Sequence, residues 1–265
     1  MALSATAGCA TVGGSGSSAA SYAEDARIAR AVLPTQTPRA ELLQVWTGPY
    51  EGVPPWDKVT APKLREAILE GIELRRAEIN AIADNPEAPT FANTSVAMQM
   101  AGEPLGRAMA LFGVMTSNIG SAEYQALDRE VSPLLSAAGD EITFNEKLFN
   151  RIRTIADSAQ SAGLTAEQTR IVTRSRDAYI RGGAALDASK KAELGRINTA
   201  LSNAFTSFGQ KVVADENTWT VIATEAGVAG LPETGRPSCR ESVEISVVAV
   251  PLNTTRHIRH TTITH

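Results

Sequence analysis

Three histidines, His257, His260 and His265, are the only ones in 265 residues, and all sit in the closing stretch "PLNTTRHIRHTTITH". Histidine is the commonest metal ligand and the usual general base near neutral pH. A zinc helix of the H-E-x-x-H type sets two histidines at i, i+4 with a glutamate between them. Here His257 and His260 stand at i, i+3, separated by Ile258 and Arg259, and the last twenty residues hold no carboxylate. A Ser–His–Asp or Cys–His arrangement would have to recruit the same tail. The sequence therefore predicts no catalytic residue and no metal site in this chain.

The other reactive residue types read as blandly. Cys9 and Cys239 lie far apart and make neither a disulfide framework nor a cysteine zinc site. Cys9 closes "LSATAGC" before the flexible "TVGGSGSS", and Gly8-Cys9 resembles the lipid-attachment site of bacterial lipoproteins. The charged and apolar regions of a signal peptide are missing, and Thr6 stands where an apolar residue is usual. Two readings stay open: a cell-envelope or periplasmic lipoprotein anchored at Cys9, whose gene starts further upstream, or a cytoplasmic chain with a flexible N-terminus. Gly13-Gly14-Ser15-Gly16 lacks the lysine of a phosphate loop and reads as linker. Arg170, Arg174 and Arg181 share one helix face, with Glu167 and Asp177 three residues from Arg170 and Arg174, so a solvated ion-paired face is expected. Asp140 and Glu141 are adjacent carboxylates, which a helix points in different directions.

Composition narrows the class. Apolar residues make up 43%, aromatics 5%, and the formal net charge is −4, which gives no general attraction to nucleic acid or anionic membrane. No apolar run approaches the ~18 residues of a transmembrane helix.

The elements that must position any site are helical. Residues 1–21 are small and polar and read as a tether; 22–233 read as a helical domain; 234–265 read as a different text. "AEDARIARAV" predicts a short helix, and the prolines at 49, 54 and 55 forbid a long one before Pro62, expected at the first helical position of the next. Ile68, Ile72, Ile79 and Ile82 mark its apolar face. A second long helix breaks near Gly102–Pro104, a third bends around Pro133, and a fourth starts at the cap residue Asn145 and stops at Gly163. Thr165 and Gln168 have capping-box spacing for a helix ending at Gly182-Gly183. After Asp187, Leu194, Ile197, Leu201, Phe205, Phe208 and Val212 are separated by 3, 4, 4, 3 and 4 residues, a stripe expected to face the core. "TWTVIAT" (218–224) predicts a short β-strand. The fold class is all-α, with long antiparallel helices. Beyond Thr234 the helical period is lost and β-branched residues crowd in, as if two unrelated texts were joined.

"LLQVWTGPYEGVPPWDKVTAPKLREAILEGIELRRAEINAIADNPEAPTFANTSVAM" resembles the N-terminal region of the zinc oligopeptidases of the thimet oligopeptidase and peptidyl-dipeptidase family. "G-V-P-P-W-D-K-V" is similar to the bacterial peptidyl-dipeptidase "G-x-P-P-F-D-K-I", and "N-P-E-A-P-T-F-A-N-T" to its "N-P-x-x-P-T-F-x-N-T". The likeness continues through "FNEKLFNRI", "LTAEQTRIV" and "RGGAALDASKKAELGRINTALSNAFTSFGQKVVADEN" to "AGLPE", covering roughly 40–233.

The resemblance implies an all-helical clamshell with a deep channel for short peptides, and dipeptides released from the substrate's C-terminus. It implies zinc in the other half, bound by H-E-x-x-H and a later glutamate. Here it stops after Glu233, roughly the first third of a family enzyme, with no H-E-x-x-H following. The expectation is a truncated part of such an enzyme, inactive alone, with a tail translated in a shifted frame and histidines that are accidental. The alternative is a stand-alone helical peptide-binding or adaptor module.

Overall fold

The computed structural model describes residues 15–50, 52–160 and 162–216. Within them all regular structure is helical. The expected strand at 218–224, the tail from 234, Cys9, Cys239 and the three histidines lie outside the described residues. Residues up to Thr206 group as one compact unit; the described part of the second unit is 207–216.

Helix α1 spans Ser15–Val32, starting earlier than the boundary expected at 22; alanine is the strongest helix former and serine is tolerated. Single helical turns at Glu41–Leu43 and Trp56–Lys58 carry the proline-rich stretch to α2, Ala61–Ala83. Pro62 follows Ala61 at the second helical position rather than the first, and the Thr60 side chain caps the helix by accepting from the Lys63 amide. The second long helix of the sequence is instead a series of pieces. A π-helical turn at Phe91–Val96 leads into α3, Ala97–Met100. Then Gly102 breaks the chain with a φ of 87°, and α4 runs Glu103–Val114 into a second π turn, Met115–Ile119. The break falls where Gly102–Pro104 predicted it.

Helix α5, Ala122–Phe144, continues through Pro133. Helices α6 (Glu146–Ser158) and α7 (Ala166–Arg181) form an antiparallel pair, in which Phe149 stacks on Tyr179 at 6.4 Å between ring centres. Both start signals hold. Asn145 accepts from the Leu148 amide, and Thr165 and Gln168 exchange the two bonds of a capping box. The stop after α7 is a Schellman motif, with Ala184 and Gly183 amides returning to the carbonyls of Tyr179 and Ile180. Helix α8 is Ala188–Glu216.

The two larger packing centres of the first unit meet on α2, and a third, around Ile155, Ala159 and Val172, lies between α6 and α7. Ile68 and Ile72 of α2 join Leu42, Leu43, Leu105, Leu111, Leu127 and Val131, while Ile79 and Ile82 join Ala29, Ala97, Leu148 and Ile152. The isoleucine face of α2 thus serves both. Gly71 lets α4 come close, because a Cβ there would lie 3.0 Å from Leu105 Cδ1 and 3.1 Å from its Cα.

The stripe on α8 departs from expectation. Ile197, Leu201 and Phe205 are 54%, 49% and 65% exposed, and Phe208 and Val212 of the second unit are exposed too. The apolar period was read correctly as one face, but only its first residue, Leu194, packs inward, beside Gly183, and the rest of that face does not meet the core.

Candidate functional site

Helices α2 and α5 run parallel, since Arg65 pairs with Glu130 and, about three turns further along both helices, Arg76 pairs with Glu141, both at 2.7 Å. Between these two ion pairs helix α5 carries the small residues Ala137, Ala138 and Gly139, and the two surfaces do not close there. A groove results, with one hollow of about 800 Å³ and another of about 150 Å³ sharing Ile72, Arg76, Ala138 and Glu141. The larger hollow has Leu69, Ile72 and Leu134 as its floor and Arg39, Arg65, Glu66, Glu70 and Glu73 around it. The smaller is more apolar, with Ile79, Leu105, Leu135 and Ile142.

Arg76 is the divider. Its Nε and Nη2 grip both Glu141 oxygens, and its Nη1 meets Glu73. These bonds raise the guanidinium pKa still further above its ordinary value. Glu70 is placed by the backbone. Partial burial pushes its carboxyl up, but the Arg39 and Ala40 amides donating at 2.7 and 2.8 Å prevail and lower it. The lining contains no Ser, Thr, Cys, Tyr or His. An apolar floor with a rim of both signs suits an amphipathic chain segment; a polyanion would meet the rim's carboxylates. The polar groups of the wall are carboxylates, guanidinium groups and two asparagine amides.

Elsewhere the expected residues separate. Asp140 accepts from Asn198 of α8 at 2.7 Å while Glu141 turns to α2, so the adjacent carboxylates diverge as a helix requires. The ion-paired face on α7 is corrected. Asp177 pairs with its neighbour Arg176, which also reaches Asp157 of α6, and leaves Arg174 aside. Arg170, Arg174 and Arg181 are exposed, and no ion pair joins them to Glu167. Among the described residues no three His, Cys, Asp or Glu side chains converge as a metal ion requires, so these residues do not fit a zinc ion. Among them, too, no helix is long and apolar enough to cross a membrane.

Three buried charges escaped the sequence reading: Arg151, Glu78 and, on α8, Lys191. Arg151 on α6, 6% exposed, donates to the carbonyls of Asn85 and Glu87, to Asn93 Oδ1 and to Thr94 Oγ1, all at 2.8–3.2 Å. Desolvation lowers its pKa. Glu78 on α2 accepts from the Gly102 amide at 2.6 Å and fixes the break before α4; burial raises its carboxyl pKa against that bond and nearby Arg75. The signal for Arg151 lay in "NPEAPTFANT", whose carbonyls and short polar side chains need a buried donor.

The chain is 33% identical over 181 residues to the dipeptidyl carboxypeptidase of Escherichia coli K12, an alignment taking in 68% of this chain and 27% of that protein. The chain belongs to the peptidyl-dipeptidase family. The Salmonella typhimurium dipeptidyl carboxypeptidase is likewise 33% identical, over 166 residues, 63% of this chain and 24% of that one. Oligopeptidase A of Haemophilus influenzae is 25% identical over 195 residues, 73% and 28% of the two chains. This family member spans about a quarter of the length of the curated relatives it matches. No family model matches the chain.

Proposed function

We propose that this chain is the helical, metal-free portion of a zinc-dependent peptidyl-dipeptidase, that its α2–α5 groove belongs to the wall guiding short peptides, and that it does not cleave peptides alone. The observation that carries this is a family match lying in a sequence that contains no H-E-x-x-H. In the parent activity a glutamate of that motif would activate zinc-bound water, and C-terminal dipeptides would leave. None of those residues has a counterpart here.

A stand-alone peptide-binding module is the second reading, favoured by a groove formed wholly within the first unit. Metal analysis after dialysis and dipeptide release from a blocked tetrapeptide test the first proposal. The expected result is less than one tightly held zinc per chain and no turnover. One zinc per chain with chelator-sensitive hydrolysis would overturn it. Saturable binding of the tetrapeptide without any gain of hydrolysis on adding the missing portion of a relative would favour the second reading. We also propose a lipid anchor at Cys9, tested by mass spectrometry of the N-terminus from membrane fractions, where an unmodified Cys9 would overturn it.

A further inference from the structure

Helix α8 is packed with its polarity reversed. It meets the end of α5 through Lys191, Gly195 and Asn198, which the 3.6-residue period sets on one face. Lys191, 9% exposed, donates to the Phe144 carbonyl and Glu146 at 3.3 Å, and Asn198 to Asp140 at 2.7 Å. A Cβ on Gly195 would touch Asp140 and Phe144 at 3.6 and 3.9 Å. Ile197, Leu201 and Phe205 look outward instead. Bringing them inward needs a turn of about 100° and the loss of those polar bonds, each worth about 1 kcal/mol or more.

We infer that this outward stripe of α8 within the first unit is a docking face for the portion of a peptidyl-dipeptidase that this chain does not contain. The inference rests on the functional reading above and names its partner. The relatives supply an occupant of the right kind, since the E. coli protein has 73% of its length outside the match. The 3-4-4 spacing sums to eleven residues, close to three whole turns, so the ridge drifts by only about 20° per repeat, in the sense opposite to heptads. Small residues, Ala200 and Ala204, border it and let a helix approach closely.

Two other occupants fit less well. Three side chains exposed to this degree offer roughly 300 Å² per copy, so self-pairing would bury about half of the ~1,200 Å² at the low end of stable complexes. A larger partner is not limited to that area, and the unit exposes further apolar side chains, Leu134, Ile171 and Ile180, each by more than 40%. A membrane-surface helix would carry Lys or Arg where Ala200 and Ala204 stand.

The test uses the full chain with Cys9→Ser, Cys239→Ser and Leu201→Cys, labelled with a maleimide in the presence or absence of a probe. The probe is the E. coli dipeptidyl carboxypeptidase with the stretch matched by this chain deleted, its folding checked by circular dichroism. The expected result is fast labelling alone and at least a tenfold slowing with saturating probe, against less than a twofold change for Arg196→Cys. Phe205→Asp should abolish co-elution of the two proteins while leaving helicity intact. No slowing with folded probe overturns the proposal. So does slow labelling of the lone, dilute chain, protection that rises with its own concentration, or protection by anionic phospholipid vesicles alone. Dipeptide release is read separately. Protection without hydrolysis sinks the functional reading and leaves the docking face standing; hydrolysis without protection does the reverse.

Discussion

Arg151 Nη2 donates to Asn93 Oδ1 at 2.9 Å, joining α6 to the π turn through two side chains 58 residues apart in sequence. Asn93 Oδ1 also receives the Thr90 amide, and Asn93 Nδ2 holds the Ala88 carbonyl. The "NPEAPTFANT" segment is therefore held by a guanidinium whose partners are all neutral. Arg151→Met would take this donor from the Asn85 and Glu87 carbonyls, while Asn93 Oδ1 keeps the Thr90 amide and the Thr94 hydroxyl, at a cost of about 2–4 kcal/mol. Arg151→Lys keeps the charge but not the planar fork, and should lose about 1–2 kcal/mol. Urea unfolding measures both. A change below about 0.5 kcal/mol for Arg151→Met would mean that the segment is held by something else.

Gly71 and Leu105 set the spacing of α2 and α4. Gly71→Ala gains roughly 1 kcal/mol of helix propensity. It must also push a methyl group against Leu105 at 3.0 Å, with backbone among the nearest atoms. Overpacking of this kind costs about 1–3 kcal/mol, so the net effect should be a loss of about 1 kcal/mol. A more stable variant in thermal unfolding would show that the two helices separate easily.

Glu70 and Glu78 should oppose each other in pH dependence. Glu70 has a lowered carboxyl pKa. Its stabilising contribution is present above the unfolded-chain value near 4.3 and fades as pH falls through the folded one. Glu78 has a raised pKa. The folded state then holds the extra proton, so stability is lost as pH rises through the folded value. Hence Glu70→Gln should destabilise at pH 7 and Glu78→Gln should stabilise, with both differences shrinking towards pH 3.5. Urea titrations at the two pH values check the signs; equal effects of Glu78→Gln at both would exclude a titrating carboxylate there.

What could be read from the sequence was local chemistry. Asn145 and Thr165 with Gln168 declare helix ends because their partners lie three residues away, and Gly102 because its φ of 87° suits glycine. The Ile68–Ile82 face was legible because α4, α5 and α6 lie against it in the same unit. The α8 stripe shows where that reasoning stops: a period identifies an apolar side, and says nothing about which polypeptide covers it. Arg151 reads as a solvent-facing arginine of an amphipathic helix, since its burial depends on acceptors some sixty positions away. The groove was equally hidden, because it follows from α2 and α5 lying parallel with small residues on only one of them.

The Asp140–Asn198 bond gives the last prediction, since α8 is held to α5 at so few points. Asp140→Ala removes the acceptor of Asn198 and a neighbour of Gly195, and should cost about 1 kcal/mol. The loss should be local. Helix α2 keeps its isoleucine contacts and α5 keeps the Arg76–Glu141 and Arg65–Glu130 pairs, none of which passes through Asp140. Amide exchange should therefore speed up about fivefold or more across 191–206 and stay within twofold across 64–82. Adding Asn198→Ala to Asp140→Ala should change little more, because the pair is already broken. If exchange rises equally in α2 and α8, the helix opens only with the whole unit, and the thin polar attachment at Asp140 is not what sets its stability.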